Sequence, residues 1–199
     1  MTQDSALNLF IIGPSGCGKS TQAKLIANKY KLKHLSMGQL LRDEIASKTK
    51  LGLSAQESID KGVWAPNEII YPILINALKN IDNRNFILDG FPRLVEQGVF
   101  IENYLSKKQQ PLDLIILLDV TFEEILVRRQ KMGQQFQDGS RSDNTPPAIA
   151  KRQTSYNQTI DSIKQHFSQT NKLFSVDGNR PIEPIFTDIC QKINSLTKN

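Results

Sequence analysis

Polar and apolar positions alternate on two periods along this chain. Short apolar runs, long enough for a buried strand, are separated by longer stretches with helical spacing. The pattern predicts strands over Leu7–Ile12, Lys33–Leu35, Asn85–Asp89, Leu112–Asp119 and Lys172–Val176. It predicts helices from the glycine-rich turn after Ile12 through Tyr30, and over Gln39–Ser47, Ser54–Lys61, Glu68–Lys79 and Arg93–Leu105. Thr121 is placed to cap a further helix, and Pro181 to open the last one. Strands spaced by helices form βαβ units. The expected fold is therefore α/β: three layers, with a five-stranded parallel sheet between helices. One segment breaks the pattern. Gly133–Pro147 is rich in Gly, Gln, Ser and Asp, has no apolar period, and is read as a loop between two helices.

Composition narrows the class. The 199 residues fit one domain, and 39% hydrophobic with 23% charged residues argues against disorder. The longest apolar runs, Leu9–Ile12 and Leu114–Leu118, fall far short of the ~20 residues of a membrane span. No basic segment precedes the first apolar run, so no secretory signal is expected. Two cysteines, Cys17 and Cys190, support neither a disulfide framework nor a zinc site, and a reducing cytoplasm is the expected compartment. Of the net charge of +5, most lies between Arg128 and Arg152. Such a local excess suits an anionic ligand, whereas a nucleic-acid track would need a wider basic surface with interleaved aromatics.

The chemistry starts after the first strand. Gly13-Pro14-Ser15-Gly16-Cys17-Gly18-Lys19-Ser20-Thr21 fits the phosphate-loop pattern G-x-x-x-x-G-K-[ST] in its strand–turn–helix context. Glycines let successive N–H groups face phosphate oxygens. Lys19 reaches the outer phosphates, and the Ser20 hydroxyl is a ligand for Mg²⁺. Asp89, ending a buried strand beside that loop, suits an acid that holds Mg²⁺ directly or through water.

Further segments carry a family resemblance over about Leu9 to Ile189. Asp89-Gly90-Phe91-Pro92-Arg93 with Gln97 resembles the D-G-[FY]-P-R…Q signature of adenylate kinases. His34-Leu35-Ser36-Met37-Gly38-Gln39-Leu40-Leu41-Arg42 resembles their H-L-S-T-G-D-L-L-R, and Gly62-Val63-Trp64-Ala65-Pro66 their G-x-L-V-P. Arg141-Ser142-Asp143-Asn144 with Arg152 is similar to their lid motif R-x-D-D…R, and Val176-Asp177-Gly178 to a final strand motif.

The resemblance implies Mg²⁺-dependent transfer of the ATP γ-phosphoryl group to AMP, giving two ADP. It implies one domain over 1–199, with a core (1–35, 80–132 and 148–199), a helical acceptor-binding segment 36–79 and a short lid 133–147. The donor ATP belongs on Gly13–Thr21 with Arg128, stacked on its adenine, and Arg180. The acceptor AMP belongs on Ser36, Met37, Arg42, Trp64, Ala65, Gly90, Arg93, Gln97, Arg141 and Arg152, with Arg42 and Arg93 on its phosphate and Gln97 on its base. Arg141 and Arg152 clamp the transferring group. No general base is needed, because the acceptor phosphate is already ionised. Positive charge and alignment are needed, and Arg forks supply both. The expected protein is a monomer that binds neither nucleic acid nor membrane.

Three departures from the family pattern stand out. Met37 stands where adenylate kinases have Thr and pyrimidine kinases Ala, while Gln97 favours adenine. Met132 replaces an Arg, so either Lys131 or Arg129 supplies the charge or the rate is lower. Trp64-Ala65 replaces Leu-Val, and Trp64 is read as core packing, with stacking near the base as the alternative. A UMP/CMP kinase and a non-catalytic nucleotide-binding regulator are the alternative functions. His34 and His166 are read as structural or exposed, and Cys17 as a small spacer.

Overall fold

Asn8–Ile12 is buried at every position, which requires a strand on each edge and helices on both faces. A computed structural model, describing residues 6–60, 64–133 and 146–196, provides both. The strands are β1 (Asn8–Ile12), β2 (Lys33–Ser36), β3 (Phe86–Asp89), β4 (Leu114–Asp119) and β5 (Leu173–Asp177). They form one parallel sheet in the order β2-β3-β1-β4-β5. The helices are α1 (Lys19–Tyr30), α2 (Met37–Ala46), α3 (Lys50–Asp60), α4 (Asn67–Lys79), α5 (Val95–Lys107), α6 (Phe122–Gly133), α7 (Pro146–Gln169) and α8 (Ile182–Leu196).

Strand periodicity divides the core in two. Phe10, Leu88 and Ile115 face a cluster built from α4, α5 and α7, including Leu74, Ile101 and Phe167. Leu9, Ile11 and Ile116 face the other cluster, with Ala23 and Ile26 of α1 and Ile189 and Ile193 of α8. Each Leu or Ile buried in this way contributes about 1.5–3 kcal/mol relative to exposure. The register aligns Ile11 with Asp89 and Ile12 with Leu117, so the carboxyl ends of β1, β3 and β4 open onto one crevice. That is where open parallel sheets bind ligands.

The predicted elements are all present, and most shift at their ends. α2 starts at Met37 rather than Gln39, directly after Ser36 in extended conformation. α3 starts at Lys50 rather than Ser54, because the Thr49 hydroxyl accepts the Gly52 N–H at 2.9 Å and caps it. Its predicted last residue, Lys61, lies outside the described residues. α5 starts at Val95 rather than Arg93: Leu94 is extended, and the Arg93 N–H goes to the Gln97 side chain at 2.9 Å. Pro146 and Pro147, assigned to the loop by their sequence, instead open α7, where a missing N–H costs nothing. Thr121 caps α6 as expected, accepting the Glu124 N–H at 3.3 Å.

α5 and α7 approach closely because residue 98 has no side chain. A Cβ on Gly98 would stand 2.7 Å from the tip of Phe167, which is fully buried and cannot swing away. Gly98→Ala should therefore destabilise the fold by about 1 kcal/mol, overpacking outweighing the gain in helix propensity. Urea denaturation of the two proteins measures this directly.

Candidate active site

The chain leaves the buried β1 and turns through Gly13–Gly18 into α1. Gly16 has φ +91°, a left-handed conformation that side chains rarely adopt, so the backbone here favours glycine. Pro14 and Cys17 are buried, and Thr21 is exposed. α1 begins at Lys19, so the N–H groups of its first turn and its dipole face the loop. The Lys19 ammonium donates to the Pro14 carbonyl at 2.7 Å, folded back across the loop.

Parallel pairing of β1 with β3 delivers Asp89 to this loop, and the Gly90 N–H donates to the Ile11 carbonyl at 3.1 Å. The Ser20 hydroxyl donates to Asp89 Oδ2 at 2.5 Å. His34 Nε2 stands 3.7 Å from the same oxygen, a placement that its sequence context did not reveal. Burial pushes the Asp89 carboxyl upward, but nearby His34, the charge of Lys19 and the Ser20 hydroxyl outweigh it. They hold Asp89 below the usual carboxylate range. An ionised carboxylate and a hydroxyl are hard oxygen donors and fit Mg²⁺. Among the described residues, no cluster of three His, Cys, Asp or Glu side chains forms a metal cage. Two donors suit an ion that keeps waters and takes its other ligands from phosphates.

Across the crevice stands Arg93, just outside α5. Its Nε donates to the Gly90 carbonyl at 3.0 Å, and its guanidinium carbon lies 3.6 Å from the centre of the Trp64 ring. Trp64 is thus only half-buried and lines the cavity, which corrects the core-packing expectation. Burial, then the charge of Arg152, pushes the Arg93 pKa down to about 10, so the group stays cationic at neutral pH. Gln97 is buried. Its Oε1 accepts the Arg93 N–H, and its Nε2 donates to Asn67 Oδ1 at 2.8 Å. Because the backbone can only donate, this contact fixes which end of the Gln97 amide is oxygen. Asn67 was not anticipated; its only signal is its position at the start of α4, after Pro66. Arg42 reaches Gln39 Oε1 at 2.7 Å, Met37 is buried in the cavity wall, and Ala65 is buried beside Trp64.

On the donor side, Arg128 ties α6 to the loop. It donates to Glu124 at 2.8 Å, to the Cys17 carbonyl at 2.7 Å and to the Gly178 carbonyl at 2.6 Å. Those bonds occupy the edges of the guanidinium, whereas stacking on a base would use its faces. Arg129 Nη2 lies 3.2 Å from the Ser15 hydroxyl and brings a further cation of α6 to the loop. Arg180 turns to Asp188 at 2.7 Å and stays outside the loop cavity. Arg141 lies outside the described residues, and so do Gly62, Val63 and most of the predicted lid.

A single cavity of about 510 Å³ joins the two sides, lined by Gly13, Lys19, Ser20 and Asp89 on one and Ser36, Arg42, Gly90 and Arg93 on the other. Arg152, Tyr156 and Thr159 of α7 form part of its wall. A glycine loop feeding a helix, a strand-end acid against its hydroxyl, and arginines facing it define a P-loop phosphotransferase. A family model described as Adenylate kinase matches residues 11–172. An adenylate kinase of Azobacteroides pseudotrichonymphae is 34% identical over 191 residues, covering 96% of this chain and 98% of that protein. One from Prochlorococcus marinus is 36% identical over 181 residues, covering 91% of this chain and 95% of its own. One from Bacteroides fragilis is 34% identical over 191 residues, covering 96% and 100%. The chain belongs to the adenylate kinase family.

Asp89 also links the site to stability. A carboxylate held below its unfolded value of ~3.9 contributes stability that is fully present above that pH and is lost as pH falls through the folded value. The stability difference between wild type and Asp89→Asn should therefore narrow as pH drops below about 4. Denaturant titrations at about pH 6, 4 and 3 would show a constant gap if the carboxylate were not engaged.

Proposed function

We propose that the adenylate kinase activity, reversible transfer of the ATP γ-phosphoryl group to AMP giving two ADP, runs in this one cavity. Donor phosphates sit on Gly13–Thr21, and the acceptor phosphate on Arg42 and Arg93. The observation that carries the reading is that Lys19 and Arg93 line the same cavity from opposite sides. The Arg93 Nε and one ring face are engaged, while neither Nη group has a hydrogen-bond or ion-pair partner among the described residues. A guanidinium held in that way is a fork awaiting two phosphate oxygens.

The chain's part is alignment and charge. Loop N–H groups and Lys19 hold the donor's outer phosphates. Arg42 and Arg93 bring the acceptor oxygen in line, and Arg152 stands where charge spreads during transfer. Ser20 and Asp89 are the residues that would hold Mg²⁺, which would supply positive charge to offset that developing on the phosphates. Gln97, with its oxygen turned to the Arg93 N–H and its nitrogen to Asn67, keeps one lone pair and one N–H for a base edge. Adenine offers the matching donor and acceptor. Arg141 and the lid over 133–147 rest on the sequence resemblance: closure there would exclude water and keep the phosphoryl group from hydrolysis.

Three outcomes are expected. Lys19→Ala should lower turnover on the order of 10³-fold while the circular dichroism of the fold is kept; near-normal turnover would remove the loop from the mechanism. In coupled assays with AMP, UMP, CMP and dCMP, AMP should have the largest kcat/KM, since losing a hydrogen-bonded base contact costs about 1–3 kcal/mol. A preference for UMP or CMP would show that Met37 decides the pocket. AMP affinity should hold from pH 7 to about 9, because Arg93, although its pKa is pushed down to about 10, keeps its charge throughout that range; a fall in affinity across it would count against Arg93 as the phosphate fork.

A further inference from the structure

Arg93 sits in a segment with no helix to hold it. Its own helix starts two residues later, and Leu94 between them is extended. A free Arg side chain has large rotamer entropy, so an unsupported Arg93 would have to be ordered by each incoming phosphate. Three contacts remove that cost in advance. The backbone N–H is held by Gln97 Oε1 at 2.9 Å, Nε is held by the Gly90 carbonyl at 3.0 Å, and the guanidinium lies 3.6 Å over the Trp64 ring. The first two fix the stem and inner edge but leave rotation about the Nε–Gly90 contact. The third fixes the plane.

The ring has an electrostatic role as well. Arg152 repels Arg93, and Asp89 is the carboxylate that offsets it. An aromatic face is the one neutral surface that attracts a cation without taking its hydrogen-bond donors. A second carboxylate here would neutralise Arg93 and occupy the Nη groups that a phosphate needs. An aliphatic side chain would fill the same space and hold nothing.

We propose that Trp64 is a positioning residue for the acceptor phosphate: its indole face sets the plane of the Arg93 guanidinium and presents both Nη groups to a phosphomonoester. The inference rests on the reading that Arg93 holds the acceptor phosphate. Its consequence is specific to one substrate. Trp64 acts on AMP through Arg93, and the donor side, on the far wall of the cavity, should not register its loss.

The test is a double-mutant cycle on equilibrium AMP affinity, read by calorimetry, with ATP affinity measured alongside. Trp64→Leu should weaken AMP binding about three- to thirtyfold, the range of a partly desolvated cation–π contact, and leave ATP affinity unchanged. Trp64→Phe should restore most of the loss. In an Arg93→Ala background, Trp64→Leu should have no further effect. Should Trp64→Leu fail to fold, Trp64→Tyr against Trp64→Met gives the same contrast of aromatic and aliphatic faces. An equal loss in both backgrounds, or equal affinities for the Phe and Leu variants, would make Trp64 a mere wall and overturn the proposal. If Arg93→Ala itself leaves AMP affinity unchanged, the acceptor-site reading falls first and the proposal with it.

Discussion

Four cations, Lys19, Arg42, Arg93 and Arg152, line a cavity in which Asp89 is the one carboxylate among the described residues. Holding like charges together costs free energy, and the rest of the molecule is arranged to sustain that cost. Two apolar clusters, one on each face of the sheet, fix the strands. The β1–β3 pairing then brings Asp89 to the phosphate loop, where its charge offsets Lys19. The α2–α4 segment carries Arg42 and Trp64 to the opposite wall, and α7 carries Arg152. Forked guanidiniums facing an ammonium across one cavity suit ligands that carry several phosphates.

Much of this was legible in the chain. The strands are recoverable because buried parallel strands are near-continuous apolar runs. The loop is recoverable because its spacing serves a backbone geometry that few other residue types permit. Asp89 could be placed beside the loop because a strand-end acid following a buried run has one natural position in a parallel sheet. Element ends were less legible, for a physical reason. They depend on side-chain caps such as Thr49, and on Gln97, which takes the Arg93 N–H that a helix would otherwise use.

The site's supporting contacts were hidden for the same reason. Asn67 orients Gln97 across 30 positions of sequence, and Trp64 meets Arg93 across a comparable separation. No period or motif encodes such pairs, because they arise only once α4 and α5 pack against the sheet. His34 is similar: its ring reaches Asp89 only because β2 pairs with β3 in a register that sets Ser36 against Asp89. Residue types announce chemistry, and long-range packing decides which of them meet.

The account's central claim is that donor and acceptor share one cavity, so that a single ligand can satisfy both walls. Calorimetric titration with a bisubstrate analogue, two adenosines joined by five phosphates, tests it most directly. One analogue should bind per chain, and saturation with either ATP or AMP alone should weaken it by competition. Two analogues per chain, or a titration unaffected by AMP, would contradict the account by separating Arg42 and Arg93 from the phosphate loop.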